Sequence, residues 1–463
     1  MDRMTLLSPT GHLGFTPIET GSFYAGVARR PDALIADSGS CDIGPYPLGA
    51  DVQHSPLDWQ RHDLEVMLVE SRRLGVPMII GSAADTGSNR GVDLFVRLTE
   101  EIAARRALPP FRLAAVSAEV DRDDLLARLR HARVSGLAGR PDLTPDIVER
   151  TDHIVAMMGV EPILAALDGG ADVIICGRSC DDAIYAALPL RAGFPRAQAF
   201  FAGKILECAS LCAEPFMAKE TVLGTVSAEG VEFEPMHPQQ RCTPASVAGH
   251  TLYEREDAYG HALPGGALDL RECVYEQVDE RRTRVRGARW IEHPVYTVKL
   301  EGAGKVGERA IAFVAIRDPM AIAELETVLG WARRKVWERH GTPEKGAYEL
   351  FLHIYGRDGV MGEWEPRRDF RAHEVGVVVE AVAPTQEQAM DIAALAQRNV
   401  FFARFPGARG TAGVAALPFD EVLPARPGYT WTINHLLPLS DPLELFPIRY
   451  IDVGAPVPAG GKH

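Results

Sequence analysis

The sequence predicts an α/β fold with a mainly parallel, doubly wound sheet, a β-rich middle domain and a small α+β C-terminal domain. Short apolar runs early in the chain each end in a loop of glycine, serine and carboxylate residues. Stretches with helical spacing of apolar residues separate these runs. A parallel sheet covered on both faces consists of such near-continuous apolar strands, and its ligands bind outside their carboxyl ends. The runs are 4–7, 33–36, 78–80, 113–116 and 173–175.

The predicted helices follow from apolar periodicity. Over 58–74, Leu64, Met67 and Leu68 share one face, and Gly75-Val76-Pro77 ends the helix. From about Lys219, short alternating runs between turn residues predict antiparallel strands. Similar helical patterns cover 92–107, 121–131, 152–167 and 197–212. The expected domains are 1–215 (α/β, with the active site), 216–340 (β-rich), 341–455 (small α+β) and a frayed tail over 456–463.

Composition favours a globular, cytoplasmic protein. With 463 residues, 46% of them hydrophobic and 24% charged, the chain can form two or three domain cores. Its net charge of −14 argues against nucleic acid and anionic membranes as partners. We see neither a run of about 18 apolar residues nor a signal peptide at the N-terminus. The seven cysteines suit free thiols, and the size and acidity favour a homo-oligomer.

The segment 172–182 carries the sharpest functional signal. An apolar strand leads into Gly177, Arg178 and Ser179, and the acidic pair Asp181-Asp182 begins a helix. A helix N-terminus and a forked guanidinium together can bind a carboxylate or a phosphate. The alternative is structural, with Asp181 as an N-cap and Arg178 in an ion pair.

Carboxylates at several strand ends predict acid–base chemistry. Close carboxylates raise one another's pKa, and their oxygens also suit Mg²⁺ or Mn²⁺. Each of these carboxylates can instead be a cap or turn residue, and His12 in the first loop can simply be solvated. The candidate catalytic residues are Asp37, Asp85, Glu119, Asp181 and His12. The candidate substrate-binding residues are Gly11, Ser38, Gly39, Ser82, Arg178, Ser179 and Arg241.

Other motifs bear on cofactors. The first loop lacks the Gly-x-Gly-x-x-Gly fingerprint that opens into a helix, and no P-loop occurs, so neither NAD nor FAD is expected. Cys176 with Cys180, and Cys208 with Cys212, are each four residues apart. This spacing admits zinc but favours buried thiols. The alternation around Lys299 and Glu301 is consistent with a solvated strand face.

A set of short motifs is distributed along nearly the whole chain. They are 37–46, 158–162, 170–178, 203–208, 241–247, 250–254, 298–303, 355–359 and 441–447. This set resembles the acyclic terpene utilisation (AtuA-like) family, and in particular its shorter members. The resemblance implies a catabolic role in the breakdown of branched acids or their CoA esters, together with a small separate partner polypeptide.

These observations predict a hydro-lyase. It would add or remove water next to the carboxylate of a small hydroxy, unsaturated or branched acid, or of its CoA ester. Such chemistry needs charge stabilisation and proton transfer but no redox cofactor. An isomerase or racemase of the same acids would use the same groups. A non-catalytic, metabolite-binding subunit of a two-component complex is the third alternative.

Overall fold

A computed structural model describes residues 2–217, 219–253, 257–367 and 369–454, so the predicted frayed tail at 456–463 lies outside the described residues. The fold is mixed α/β, with two compact units: Met1–Gly304 with Trp431–His463, and Lys305–Thr430. The strands are β1 Arg3–Ser8, β2 Ala33–Gly39, β3 Met78–Asp85, β4 Phe111–Val116, β5 Ser135–Gly136, β6 His153–Ala156, β7 Val173–Cys176, β8 Val222–Ser227, β9 Val231–Pro235, β10 Gly260–Leu263, β11 Gly266–Asp269, β12 Val274–Gln277, β13 Thr283–Arg286, β14 Arg289–Glu292, β15 Thr297–Ile316, β16 Glu349–Tyr355, β17 Val375–Ala383, β18 Leu423–Pro438 and β19 Ile448–Val453. The helices are α1 Thr20–Val27, α2 Tyr46–Gly49, α3 Leu57–Leu74, α4 Asn89–Arg105, α5 Arg122–Arg128, α6 Pro145–Glu149, α7 Glu161–Asp168, α8 Asp181–Arg191, α9 Arg196–Leu206, α10 Pro244–Leu252, α11 Pro319–Ala323, α12 Leu325–His340, α13 Pro343–Gly346 and α14 Gln386–Phe401.

The five apolar runs are strands at the centre of a ten-stranded sheet. Its order is β12-β13-β9-β8-β1-β2-β3-β7-β4-β19. The pairs from β1 through β2, β3 and β7 to β4 are parallel. The outer pairs are antiparallel. The sheet is therefore mixed, and the parallel strands form its middle.

The strand pairing explains why the first compact unit combines distant parts of the chain. Strands β8 and β9, which the sequence assigns to a β-rich domain, extend the main sheet from β1. At the opposite side, β19 near the C-terminus pairs with β4. The expected division at 215 and 340 stays a prediction, whereas the compact units divide at Gly304 and Thr430.

The core of the first unit consists of two buried clusters, and the side chains of the parallel strands alternate between them. Leu6 and Ile35 belong to one buried cluster, with side chains of α7, α8 and α9. Leu7 and Leu34 belong to another, with side chains of α1, α3 and α4. Because successive strand residues point to opposite faces, helices cover the sheet on both sides. The carboxyl ends of the parallel strands meet at one edge, where their loops converge.

The second unit is a smaller α+β layer. Strand β17 pairs antiparallel with β16 and with the C-terminal part of β15. Val314 and Val377 pack with Leu329 of α12 and Ile392 of α14 in a separate core. Among the described residues of both units, no helix is long and apolar enough to cross a membrane.

The predicted helix over 152–167 is wrong in its first half. Residues His153–Ala156 form β6, and the helix α7 starts only at Glu161. Ile154 and Val155 are β-branched and pair with β15, which outweighs their apparent helical spacing. The predicted helix over 197–212 stops at Leu206 and is followed by a 3₁₀ turn over Ala209–Cys212.

Candidate active site

Loops after β1, β2 and β7 converge on a polar cleft of about 460 Å³, together with residues of the segment that follows α9. This polar cleft lies at the edge where the sequence places the ligand. Gly11, His12, Asp37, Gly39 and Asp181 of the predicted set line it. The other lining residues are Phe15, Ser40, Asp42, Ile43, His54, Glu207, Cys208, Lys219 and Tyr253.

Asp37 is a buried carboxyl at this cleft, with only 2% of its surface exposed. Its Oδ1 accepts hydrogen bonds from the amides of Ser38 (2.7 Å) and Gly39 (3.1 Å). Its Oδ2 has no hydrogen-bond partner among the described residues. Burial and then the charge of neighbouring Asp181 raise the pKa of Asp37 well above its usual range, although Arg178 opposes this. The neighbouring Asp181 carboxylate can only accept, so a hydrogen bond between the two carboxyl groups requires a proton on Asp37.

Arg178 is held in a buried ion pair rather than facing the cleft unpaired. Its Nε lies 2.8 Å from Glu301 Oε2, and its Nη2 lies 3.4 Å from Glu301 Oε1. Its Nη1 also contacts Ser82 Oγ at 3.1 Å and Asp181 Oδ1 at 3.4 Å. These contacts match the structural alternative for Arg178 and use its guanidinium to orient Asp181.

Glu301 is 4% exposed, so a solvated strand face is the wrong interpretation for it. Lys299 Nζ lies 2.8 Å from its Oε1, on the side away from the bond to Arg178 Nε. Burial alone raises the pKa of Glu301, but Arg178 and Lys299 outweigh it and hold the value at about 2. Two cations thus keep this buried carboxylate ionised.

Asp85 anchors a loop beside the cleft. Its Oδ2 accepts the amides of His54 and Ser55, each at 2.9 Å. His12 Nε2 lies 3.5 Å from its Oδ1. Burial raises the pKa of Asp85, but the contact with His12 and the hydrogen bonds from Ser55 and His54 outweigh it and lower the value. Asp85 sits in the left-handed region at φ +76°, a strained conformation that the loop contacts must stabilise.

The remaining predicted residues lie outside the lining of this cleft. Glu119 accepts the Asn89 amide (2.9 Å) at the start of α4. Arg241 pairs with Glu214 at the surface, with 61% of its side chain exposed. Three serines support the loops: Ser38 donates to the Leu13 carbonyl, Ser179 donates to the Gly177 carbonyl, and Ser82 accepts from Arg178.

The chain matches one known protein family. Residues 62–426 match the model of the acyclic terpene utilisation family protein AtuA. The chain belongs to the AtuA family. No curated protein and no solved structure gives a match. Membership confirms the resemblance given by the sequence motifs and indicates a role in acyclic terpene utilisation.

Sequence reasoning missed a second group of residues in this AtuA family member. Lys204, only 4% exposed, donates a hydrogen bond to Glu207. Burial and then the charge of Asp182 raise the pKa of Glu207 well above its usual range, although Lys204 opposes this. The stretch 199–206 at the end of α9 is apolar except for Lys204, and a single lysine in such a stretch is the signal that could have identified the pair.

A second cleft of about 470 Å³ adjoins the polar cleft and shares Asp181 and Glu207 with it. Its lining is more apolar. Charged and polar groups occur there as well, among them His261, whose Nε2 lies 2.5 Å from Asp182 Oδ2. The apolar lining residues are Leu137, Met157, Ala262, Leu263, Pro264 and Leu436.

Gly87 fixes the loop that carries Arg178. A Cβ at Gly87 would lie 2.2 Å from the Arg178 backbone nitrogen, and its φ is +67°. We expect Gly87→Ala to destabilise the protein by about 1–3 kcal/mol through overpacking, in addition to about 1–2 kcal/mol of left-handed strain. Urea unfolding measures the change. Gly75→Ala is the matched control, because Gly75 has φ +69° with nothing within 4 Å. Equal losses in the two variants would contradict the overpacking.

Proposed function

We propose that this AtuA family member adds or removes water next to the carboxylate or thioester of a small hydroxy, unsaturated or branched acid. The observation that carries the proposal is the buried Asp37 carboxyl beside Asp181 at the floor of the polar cleft. Two neighbouring carboxyls that share one proton provide an acid and a base at the same place.

The Asp37–Asp181 pair can supply both proton transfers of a dehydration. The ionised carboxylate removes the proton from the carbon next to the carbonyl, and the protonated carboxyl gives its proton to the departing hydroxyl. Water leaves, a carbon–carbon double bond forms, and the pair again holds one proton. Hydration is the reverse. We assign Asp37 as the acid because its environment raises its pKa and Asp181 as the base because Arg178 Nη1 orients it.

The two clefts suit the two ends of such a substrate. Lys219 lines the polar cleft, and no carboxylate of the described residues lies within 4.0 Å of its Nζ, which is 5.6 Å from the Phe15 ring centre. We infer that Lys219 and His54 bind the anionic end. The apolar residues of the second cleft would then hold a branched hydrocarbon chain, in keeping with the role of the family.

Arg178 and Glu301 enter this proposal as positioning residues. Glu301 binds Nε and Nη2 of Arg178, and the remaining Nη1 contacts Asp181 Oδ1. Glu119 and Arg241 have no part in it. The homo-oligomer, the cytoplasmic location and the accessory polypeptide stay predictions.

Isotope labelling tests the reaction. We expect one or more members of a panel of free unsaturated and branched acids and their CoA esters to gain oxygen-18 from labelled water and deuterium from D₂O. An isomerase or racemase would introduce deuterium without oxygen-18. Mass spectrometry of the products separates these results. A panel without any label uptake would contradict the catalytic assignment and favour a metabolite-binding subunit.

A further inference from the structure

One group of side chains at the polar cleft has the composition of a metal site. Glu207, Cys208 and His250 each offer one ligand atom, and these atoms all lie within 4.8 Å of one another. Glu207 and Cys208 also line the cleft. We propose that these three residues bind a divalent cation of the zinc type, with its open coordination position facing the cleft.

Two helices fix the three ligands. Glu207 and Cys208 follow directly on the last turn of α9, and His250 lies in α10. The start of α10 is fixed by a capping box, in which Thr243 and Ser246 each accept the other's backbone amide. Helices α9 and α10 contact each other. The ligands are thus carried by packed elements rather than by an exposed loop.

Tyr253 contacts two of the three proposed ligands. Its ring stacks on the His250 ring, with 4.9 Å between centres. Its hydroxyl oxygen lies 3.4 Å from Cys208 Sγ. Groups that contact ligands in this way orient them for a metal. One tyrosine therefore contacts both the imidazole and the thiol.

The chemical types of these three side chains determine which metal ion they favour. Thiolate and imidazole favour zinc over magnesium, which takes oxygen ligands. Three protein ligands with a fourth position open to a cleft are typical of catalytic zinc. Tetrahedral ligands at zinc distances are about 3.3–3.8 Å apart, so small side-chain rotations from the observed separation complete the site. The Mg²⁺ or Mn²⁺ expected from the strand-end carboxylates would not use this thiol.

The surrounding charges are compatible with a cation. Lys204 donates to Glu207 Oε1 and orients the carboxylate. The charges of Asp181 and Asp182 act on Glu207 from nearby and oppose the lysine. Binding of the ion does not require the acid–base pair of Asp37 and Asp181. The metal site can therefore be tested without knowing the substrate.

Cobalt(II) is the probe for this site. The full chain is stripped with a chelator, titrated with CoCl₂ and followed by absorption. We expect one cobalt per chain, with a thiolate-to-cobalt charge-transfer band and the intense visible bands of tetrahedral cobalt. Added ZnCl₂ should bleach these bands, whereas excess MgCl₂ should leave them unchanged.

Variants assign the ligands. Cys208→Ser should remove the charge-transfer band, and His250→Gln should weaken cobalt binding at least tenfold. Cys212→Ser is the control, because Cys212 is a free thiol four residues along the chain, and its Sγ lies 3.8 Å from Cys242 Sγ. Thermal unfolding confirms that each variant is folded. No band in the unchanged protein, or an unaltered band in Cys208→Ser, overturns the site. Label uptake that persists without cobalt binding would leave the hydration chemistry standing.

Discussion

The Asp37→Asn variant is expected to lose turnover about 10²–10⁴-fold and, at neutral pH, to be more stable than the unchanged protein. The amide oxygen can accept the Ser38 and Gly39 amides as Oδ1 does. The amide nitrogen is a donor, as the protonated carboxyl is, and can donate to the neighbouring Asp181. The variant thus keeps the hydrogen bonds of the acid form but has no proton to transfer. Turnover of the substrate identified by labelling measures the loss.

The gain in stability follows from the raised pKa of Asp37. Below the usual value of 3.8, both folded and unfolded states hold the proton. As the pH rises above that value, Asp37 loses its proton in the unfolded state before it does so in the folded state. This lowers the free energy of the unfolded state relative to the folded one. The unchanged protein therefore loses stability until the pH passes the folded pKa. The advantage of Asp37→Asn should grow over this window and vanish in acid.

Asp172→Asn is the control for this variant. Asp172 lies at the start of β7, at the opposite edge of the parallel strands from the cleft. It accepts the Arg112 amide at 2.9 Å and pairs with Arg72 at 3.1 Å. Its loss should leave turnover unchanged. If Asp37→Asn turns over substrate within tenfold of the unchanged protein, Asp37 is not the acid.

The strands and the edge that carries the cleft follow from local sequence. Each apolar run is short, bounded by turn residues and long enough only for a strand. Because parallel strands end at one edge, the positions of Asp37 and Asp181 follow from the chain alone. The same rule placed Glu119 there too. Its backbone lies near this edge, yet its carboxylate accepts an amide of α4 instead.

Partners distant in the chain are what the sequence does not reveal. Arg178 and Glu301 are 123 residues apart, and alternation along a strand does not tell which face is buried. From the sequence alone, the Arg178 guanidinium could therefore either bind a ligand or form an ion pair. Glu207 and His250 likewise meet only because α9 packs on α10. Short-range patterns predict elements, whereas these pairings depend on how the elements pack.

Glu301→Gln should destabilise the protein by about 3–5 kcal/mol, because it leaves the Arg178 charge buried without its main partner. Both side chains are 5% exposed, so water cannot replace the lost carboxylate. Urea unfolding measures the change. Glu101→Gln is the control, since Glu101 pairs with Arg61 at 2.6 Å but is 56% exposed, and exposed pairs contribute about 0–1 kcal/mol. A similar small loss in both variants would show that the buried pair is not needed for stability.

The pH dependence of this difference separates charge from packing. The folded pKa of Glu301 is about 2, below its usual 4.5. A lowered pKa contributes stability that is fully present above the unfolded value and is lost as the pH falls towards the folded one. The gap between the unchanged protein and Glu301→Gln should therefore be constant above about pH 4.5 and close towards pH 2. A gap that persists in acid would mean that the glutamine disturbs packing around Arg178, since protonated glutamic acid and glutamine carry the same charge.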